Sequence, residues 1–132
     1  MSRPIGIHDL EPLATGSWIL GTGGGGSPYS SYLSMKNFYN SGGSIELLDP
    51  EELADDDLVA VLSTMGAPLV FQERMTDPAF ALKPLRIMEA YLGKRFRAVM
   101  TVEIGGCNAF QPLLAAAASG LPVVDADALS LI

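Results

Sequence analysis

Two short, uninterrupted apolar runs constrain the fold of this chain more than any other feature. "LVAVLS" (58–63) and "RAVMTV" (97–102) lack the alternation of a half-exposed strand and are typical of strands buried on both faces. A helical segment ending near Leu92 separates them, and a second helical segment, "AFQPLLAAAAS", leads to a third strand at "PVVDAD" (122–127). This strand–helix order predicts one α/β domain over 1–132, with a mostly parallel sheet and helices on its faces.

The first third of the chain predicts two helices with a glycine-rich loop between them. Residues 9–20 begin with the capping residue Asp9 and carry apolar side chains at helical spacing. Gly21 is placed to end this helix, and Ser27 with Pro28 form a cap and first-turn proline for the next one. "SIELL" after the second helix reads as a further strand.

Between the apolar runs, the segment "TMGAPLVFQERMTDP" (64–78) is predicted to be a long loop, because it contains Gly66 and Pro68. Asp77 and Pro78 repeat the pattern of a helix cap followed by proline. The helix after them is expected to end at Gly93.

The glycine run "LGTGGGGSPY" admits three interpretations. It contains G-x-G-x-x-G as Gly21, Gly23 and Gly26, with Glu46 twenty residues later, which is a dinucleotide-binding pattern if a strand precedes it. The upstream periodicity favours a helix instead. Alternatively, backbone N–H groups bind an anion or a carbonyl oxygen; a hinge or tight packing turn explains the run equally well. The candidate ligand-binding residues are Gly23, Gly24, Gly25, Gly26 and Ser27.

The segment "EIGGCN" supplies a second group of candidates. Glu103 is the ionisable residue best placed to face a ligand, although it could equally cap the next helix. Gly105 and Gly106 indicate close backbone approach, and Asn108 indicates a polar contact or a cap. Cys107 at a helix N-terminus could be nucleophilic, but no histidine lies nearby in sequence, so an inert buried thiol is favoured.

The carboxyl ends of parallel strands meet at one edge of a sheet, so "STMGAP", "EIGGCN" and "DAD" should lie together. Asp125 and Asp127 could act there in acid–base chemistry or bind a hard cation, although an ordinary polar strand end is favoured. His8 is the sole histidine, which excludes a zinc site built mainly on histidines within this chain. The residues identify neither a metal nor a cofactor.

Charge and composition narrow the class of partner. The formal net charge is −7, from 15 acidic against 8 basic residues, and no basic stripe appears, which argues against nucleic acid and anionic membrane surfaces. No stretch approaches the ~20 apolar residues of a membrane span. The single cysteine excludes a disulfide framework and predicts a reducing, cytoplasmic setting.

"ATGSWILGTGGGGSPY", "LLDPEEL", "MGAP" and "EIGGCNAFQPLLAAAASGLPVVDAD" together resemble the S-methyl-thiohydantoin desulfurase-like family, whose members are often encoded beside or fused to hydantoinase/oxoprolinase-type subunits. The likeness runs from about Asp9 to Asp127. Two departures stand out. Where the family pattern continues with Gly-Met-Gly-Arg-Ala-Phe-Pro, this chain reads "ALSLI", and Cys107 stands where a small residue, often glycine, is expected.

The resemblance implies the N-terminal domain of a longer protein that hydrolyses small thiohydantoin- or hydantoin-type rings. Acid–base roles would then fall to Glu103, Asp125 or Asp127, and charge stabilisation to the glycine loop. We expect the domain to be incomplete as an enzyme without its β-rich second domain, and to self-associate through uncovered apolar surface. The alternatives are a ligand- or partner-binding domain of a hydantoinase-like assembly and a dinucleotide-binding domain.

Overall fold

The computed structural model describes residues 1–73 and 79–129 of the chain. A five-stranded sheet runs through it in the order β1-β2-β5-β4-β3, with β1 antiparallel to β2 and the other neighbours parallel. This confirms the predicted α/β class and mostly parallel sheet. The strands are β1 (Arg3–Ile5), β2 (Ile45–Leu48), β3 (Val59–Leu62), β4 (Ala98–Thr101) and β5 (Val123–Asp127). Strand β1 was not predicted, because three residues containing Pro4 carry too little pattern.

Five α-helices occur in the described ranges: α1 (Leu10–Gly21), α2 (Tyr29–Asn40), α3 (Pro68–Glu73), α4 (Ala79–Leu92) and α5 (Gln111–Ser119). The helices predicted before and after the glycine run are therefore present, with residues 22–28 between them. None of the described helices is long and apolar enough to cross a membrane.

The prediction of a loop over residues 64–78 is wrong for residues 68–73, which form helix α3. Pro68 is the first residue of this helix, and proline is well accommodated in the first turn, where no N–H is needed. The predicted cap at Asp77 and Pro78 lies outside the described residues.

The main core lies between the sheet and α1, α2, α4 and α5. Phe110, Leu113, Leu10 and Met35 are almost completely buried there against sheet residues such as Val99. Each fully buried side chain of this size contributes about 2 kcal/mol to folding. All four of these helices belong to this one cluster, whereas the smaller cluster on the opposite face contains strand residues and Leu53 alone among the described residues.

The direction of the crossovers explains why the helices share one face rather than both. The chain moves from β3 to β4 to β5 in one direction across the sheet, so right-handed crossovers place α4 and α5 on the same side. The return from β2 to β3 runs the other way, and its short segment includes only a 3₁₀ turn, Pro50–Glu52. The prediction that β3 is buried on both faces is therefore wrong. This strand lies at the edge of the sheet, and Val61 is 49% exposed.

Candidate functional site

The loops that follow β3, β4 and β5 meet at the carboxyl edge of the sheet, as the sequence predicted. The Thr64 N–H donates to Oδ1 of Asn108 at 2.9 Å, which ties the loop after β3 to the 3₁₀ helix after β4, Gly106–Phe110. The Ala128 N–H donates to the Val102 carbonyl at 3.1 Å, which ties the end of β5 to the same loop. One polar edge is thereby assembled from three segments that are distant in sequence.

Asn108 is the centre of this junction and is 4% exposed. Its Nδ2 donates to Oε1 of Glu103 at 2.8 Å while its Oδ1 accepts from Thr64, so both ends of its amide are engaged within the protein. Thr101 Oγ1 lies 2.6 Å from the Glu103 carbonyl and 2.9 Å from that of Asn108. Asn108 therefore holds the edge together; a ligand contact from it stays a prediction.

The glycine run packs directly on the glycines of "EIGGCN". The Cys107 N–H donates to the Gly25 carbonyl at 2.9 Å. A β-carbon built on Gly21 would lie 2.8 Å from the Gly106 nitrogen, and one on Gly105 would lie 3.1 Å from Cα of Gly21. These backbones approach so closely that side chains do not fit between them. The close approach predicted at Gly105 and Gly106 is confirmed, and Gly25 has the packing role that was one of the alternatives for the glycine run.

The remaining candidates of the run have different surroundings. The Gly24 N–H donates to the Gly21 carbonyl at 2.6 Å, and Ser27 Oγ accepts from the Tyr29 N–H at 3.3 Å, which caps α2. A β-carbon on Gly26 would lie 3.9 Å from Cys107 Sγ, whereas one on Gly23 would meet nothing within 4 Å. Two of the polar groups expected to face a ligand are thus used inside the protein.

The dinucleotide interpretation of the run is wrong. It requires a strand directly before the first glycine, and residues 10–21 form helix α1. Gly21 is the last residue of that helix, so it does not form the turn between a strand and a helix that faces the phosphates in dinucleotide-binding proteins.

A cavity of about 600 Å³, called here the first cavity, opens at the carboxyl edge beside β1, β2 and β5. Apolar side chains make most of its wall, and five polar side chains face it. The apolar group includes Ile5, Leu13, Leu47, Ile104, Ala109, Pro112, Leu113 and Val123; the polar group is Arg3, Asp9, Thr101, Asp125 and Asp127. A mostly apolar concavity with a few polar groups is the usual form of a small-molecule site.

A second cavity, of about 390 Å³, lies beside the glycine run. Glu103 lines it together with Gly24, Gly25 and Gly105, and Leu20 and Leu129 form its apolar border. Ile104 lines both cavities, whereas Glu103 lines only the second one. The three predicted catalytic carboxylates are therefore divided between two neighbouring cavities.

The polar groups of the first cavity differ in how they are engaged. Asp9 Oδ2 accepts from the Gly6 N–H at 2.7 Å and lies 3.8 Å from Nη1 of Arg3. Asp127 Oδ1 accepts from the Leu129 N–H at 3.1 Å. The Asp125 carboxylate is exposed and accepts no hydrogen bond from any residue in the ranges 1–73 and 79–129. Sequence reasoning missed Arg3 and Asp9, because only the antiparallel pairing of β1 brings them to this edge.

Cys107 does not have the character of a nucleophile. It is partly buried, and burial raises the pKa of its thiol, with the nearby Glu103 carboxylate raising it further. The thiolate is disfavoured at neutral pH, in agreement with the inert interpretation. The described residues include no group of three His, Cys, Asp or Glu side chains placed to hold a metal ion.

Comparison with known proteins gives the family. The model of the S-Me-THD-like N-terminal domain matches residues 8–130, which is nearly the whole chain. The chain belongs to the S-Me-THD-like family. The resemblance drawn from the glycine run and "EIGGCN" is thereby confirmed, including its restriction to the N-terminal domain. No curated protein matches the chain.

Two solved chains match this S-Me-THD-like domain. One is the crystal structure of a protein from Chromobacterium violaceum, at 30% sequence identity and a TM-score of 0.75. The similarity covers 95% of the present chain but 35% of the other one. The chain thus spans about a third of that relative's length, and nearly all of its own fold is shared.

Proposed function

We propose that this domain forms part of a hydrolase that acts on small thiohydantoin- or hydantoin-type rings. The observation that carries the proposal is the first cavity, whose apolar walls and Asp125 carboxylate, unpaired with any described residue, lie at the carboxyl edge of a mostly parallel sheet. Its volume of about 600 Å³ is ample for a five-membered ring and a water molecule. Membership of the S-Me-THD-like family supports the ring chemistry.

Asp125 is the candidate general base in this proposal. Hydrolysis of a ring C=N or C=O carbon requires a water molecule that loses a proton as it attacks, and a group that stabilises the negative charge that develops. Asp125 can accept that proton because its carboxylate makes no hydrogen bond to the described protein. Asp127 is a second candidate, and its Oδ1 accepts from the Leu129 N–H. The Arg3 guanidinium is the cation available in the lining of this cavity for the developing charge.

Glu103 is the alternative base, in the second cavity. Its Oε1 is held by Asn108, which fixes the carboxylate beside Gly24 and Gly25. Because the glycine segments pack on each other there, the second cavity has a rigid backbone wall. The two assignments differ in which cavity the ring occupies, so a single mapping experiment separates them.

The experiment combines ligand mapping with turnover. Amide NMR spectra of the chain, titrated with hydantoin and S-methyl-thiohydantoin, are expected to shift for residues 123–127 and for Arg3. Ring hydrolysis is then measured for the chain and for the longer Chromobacterium violaceum relative. Substitutions equivalent to Asp125→Asn and Glu103→Gln are made in whichever protein is active. Undiminished turnover in both variants would exclude both carboxylates as the base.

A second candidate function is non-catalytic binding within a larger assembly. The chain corresponds to only 35% of its solved relative, so further catalytic groups can come from elsewhere. We expect turnover from the longer relative and none from this chain alone. Ring binding without turnover in both proteins would favour the binding function.

A further inference from the structure

We propose that the first cavity selects uncharged ligands that present N–H donors and rejects anionic ones, with Asp125 as the residue that sets this preference. The identity of the ring rests on the proposed function, whereas the charge preference follows from the lining of the cavity itself.

The charge of the lining is the first argument. Three carboxylates and one guanidinium face the cavity, which gives a net charge of −2. The guanidinium of Arg3 is itself 3.8 Å from Asp9, so its attraction for a ligand anion is partly cancelled. The surrounding chain adds to the effect, because its own net charge is −7. An incoming anion therefore meets an unfavourable potential.

The hydrogen-bonding capacity of Asp125 is the second argument. An ionised carboxylate accepts hydrogen bonds and donates none, and Asp125 has no donor from the described protein. A ring N–H satisfies it, whereas a ligand carboxylate placed there would repel it. The apolar walls from Leu13, Pro112 and Leu113 suit the faces of a flat ring.

The position of the glycine run, away from the first cavity, is the third argument. The sequence offered a cradle of N–H groups for an anion, but the Gly24 N–H donates to Gly21 and the Cys107 N–H donates to Gly25. The start of α2 is capped by Ser27 Oγ. The residues of the glycine run that line a cavity line the second one, so their N–H groups do not offset the negative lining of the first cavity.

The test uses the full chain, labelled with ¹⁵N, and three ring probes. Hydantoin is uncharged with N–H donors, 1,3-dimethylhydantoin is uncharged without them, and hydantoin-5-acetate is an anion at neutral pH. We expect hydantoin to shift the amides of residues 123–127, and to bind roughly tenfold more tightly than either other probe. The gap between hydantoin and the anion should narrow as salt is added.

Asp125→Asn is expected to bring the anion's affinity to within about threefold of that of hydantoin. The matched control is Asp55→Asn, which removes the same charge from an exposed segment outside the cavity lining and should leave the ratio unchanged. Equal binding of the anion and hydantoin by the unmodified chain would overturn the inference. So would an unchanged ratio in Asp125→Asn, or shifts confined to residues 21–25 and 103–106.

The inference and the proposed function fail in different ways. Charge discrimination in the first cavity without hydrolysis by this chain or the longer relative would contradict the hydrolase proposal alone. Hydrolysis with equal acceptance of anionic and uncharged rings would contradict the charge preference alone.

Discussion

Gly106 and Gly25 pack backbone against backbone. A β-carbon built on Gly106 would lie 2.6 Å from the carbonyl carbon and oxygen of Gly25, and the N–H of the next residue, Cys107, donates to that same oxygen at 2.9 Å. The two glycine-rich segments of the sequence are thus two halves of one contact. This contact joins the segment between α1 and α2 to the segment after β4 that carries Glu103 and Asn108.

Gly106→Ala should therefore be strongly destabilising. Gly106 has φ +61°, so a side chain there meets both an unfavourable backbone conformation and the Gly25 backbone. We expect a loss of about 3 kcal/mol in the free energy of unfolding, measured by urea denaturation. Gly42→Ala is the control, because Gly42 has φ +86° with nothing within 4 Å of its β-carbon and should lose about 1 kcal/mol. Equal losses in the two variants would contradict the packing role.

Asn108→Ala should destabilise the carboxyl edge. It leaves the Thr64 N–H without its acceptor and removes the donor to Glu103, at a cost of about 2 kcal/mol in unfolding free energy. Glu103→Gln keeps an oxygen for Asn108 and should change stability by less than about 0.5 kcal/mol. Thermal and urea unfolding of the two variants provide the comparison. A stable Asn108→Ala variant would show that the junction does not depend on this amide.

Cys107 should react slowly with alkylating reagents in the folded protein. Burial and the Glu103 carboxylate both raise the pKa of its thiol, so little thiolate is present at neutral pH. We expect iodoacetamide to modify it more slowly than it modifies glutathione at pH 7.5, and at a normal rate after denaturation. Cys107→Ala should retain any ring binding. Rapid alkylation of the folded chain at pH 7.5 would revive a nucleophilic role.

Glu89 should make stability depend on acid pH. Its carboxylate accepts from Arg86 at 2.6 Å, from Arg95 at 2.9 Å and from the Phe96 N–H at 3.1 Å. The Arg86 guanidinium is the largest cause that lowers its pKa, so the folded state binds this proton less readily than the unfolded state. The contribution of the ionised Glu89 carboxylate to the free energy of unfolding is present above a pH of about 4. It is lost as the pH falls through the lowered pKa of Glu89.

The measurement is urea denaturation at pH 7 and pH 3 for the unmodified chain and for Glu89→Gln. We expect the variant to be less stable at pH 7 and to lose less stability on acidification. Glu46→Gln, at an exposed position on β2, is the control for general charge effects. An identical pH dependence in all three proteins would exclude a stabilising role for the Glu89 pairs.

The outer face of α4 should drive self-association. Phe80, Ile87 and Tyr91 are 56%, 60% and 85% exposed and recur at helical spacing, with Pro84 between them. We expect the sedimentation coefficient of the chain to rise with concentration, and Ile87→Glu to weaken the association by about tenfold. Leu33→Glu on α2, where Leu33 is 41% exposed, should leave it unchanged. A monomer at high concentration would refute this prediction.

Local sequence patterns predicted most helices and strands, but they did not predict which strands lie at the edges of the sheet. Apolar runs, proline signals and glycine stops predicted α1, α2, α4, α5 and the four parallel strands, because each signal lies within or next to the element it defines. The predicted cap at Asp9 is wrong, since its side chain makes no cap hydrogen bond to α1. Helix α3 was missed because Pro68 fits the first turn of a helix as well as it fits a loop. The exposure of Val61 was missed because it depends on which face of the sheet the helices cover, and that follows from the strand order.

The sequence by itself determined the family, the α/β class and the meeting of three strand-end loops, since these follow from motif order, periodicity and the parallel arrangement. Only the tertiary structure decided what those residues do. In the folded protein, Gly25 packs against Gly106, and both ends of the Asn108 amide form hydrogen bonds. Glu103 and Asp125 line separate cavities. The tertiary structure also brings Arg3 to the carboxyl edge. Such contacts join residues that are far apart in the chain. Tertiary packing sets their distances, and local sequence patterns do not predict them.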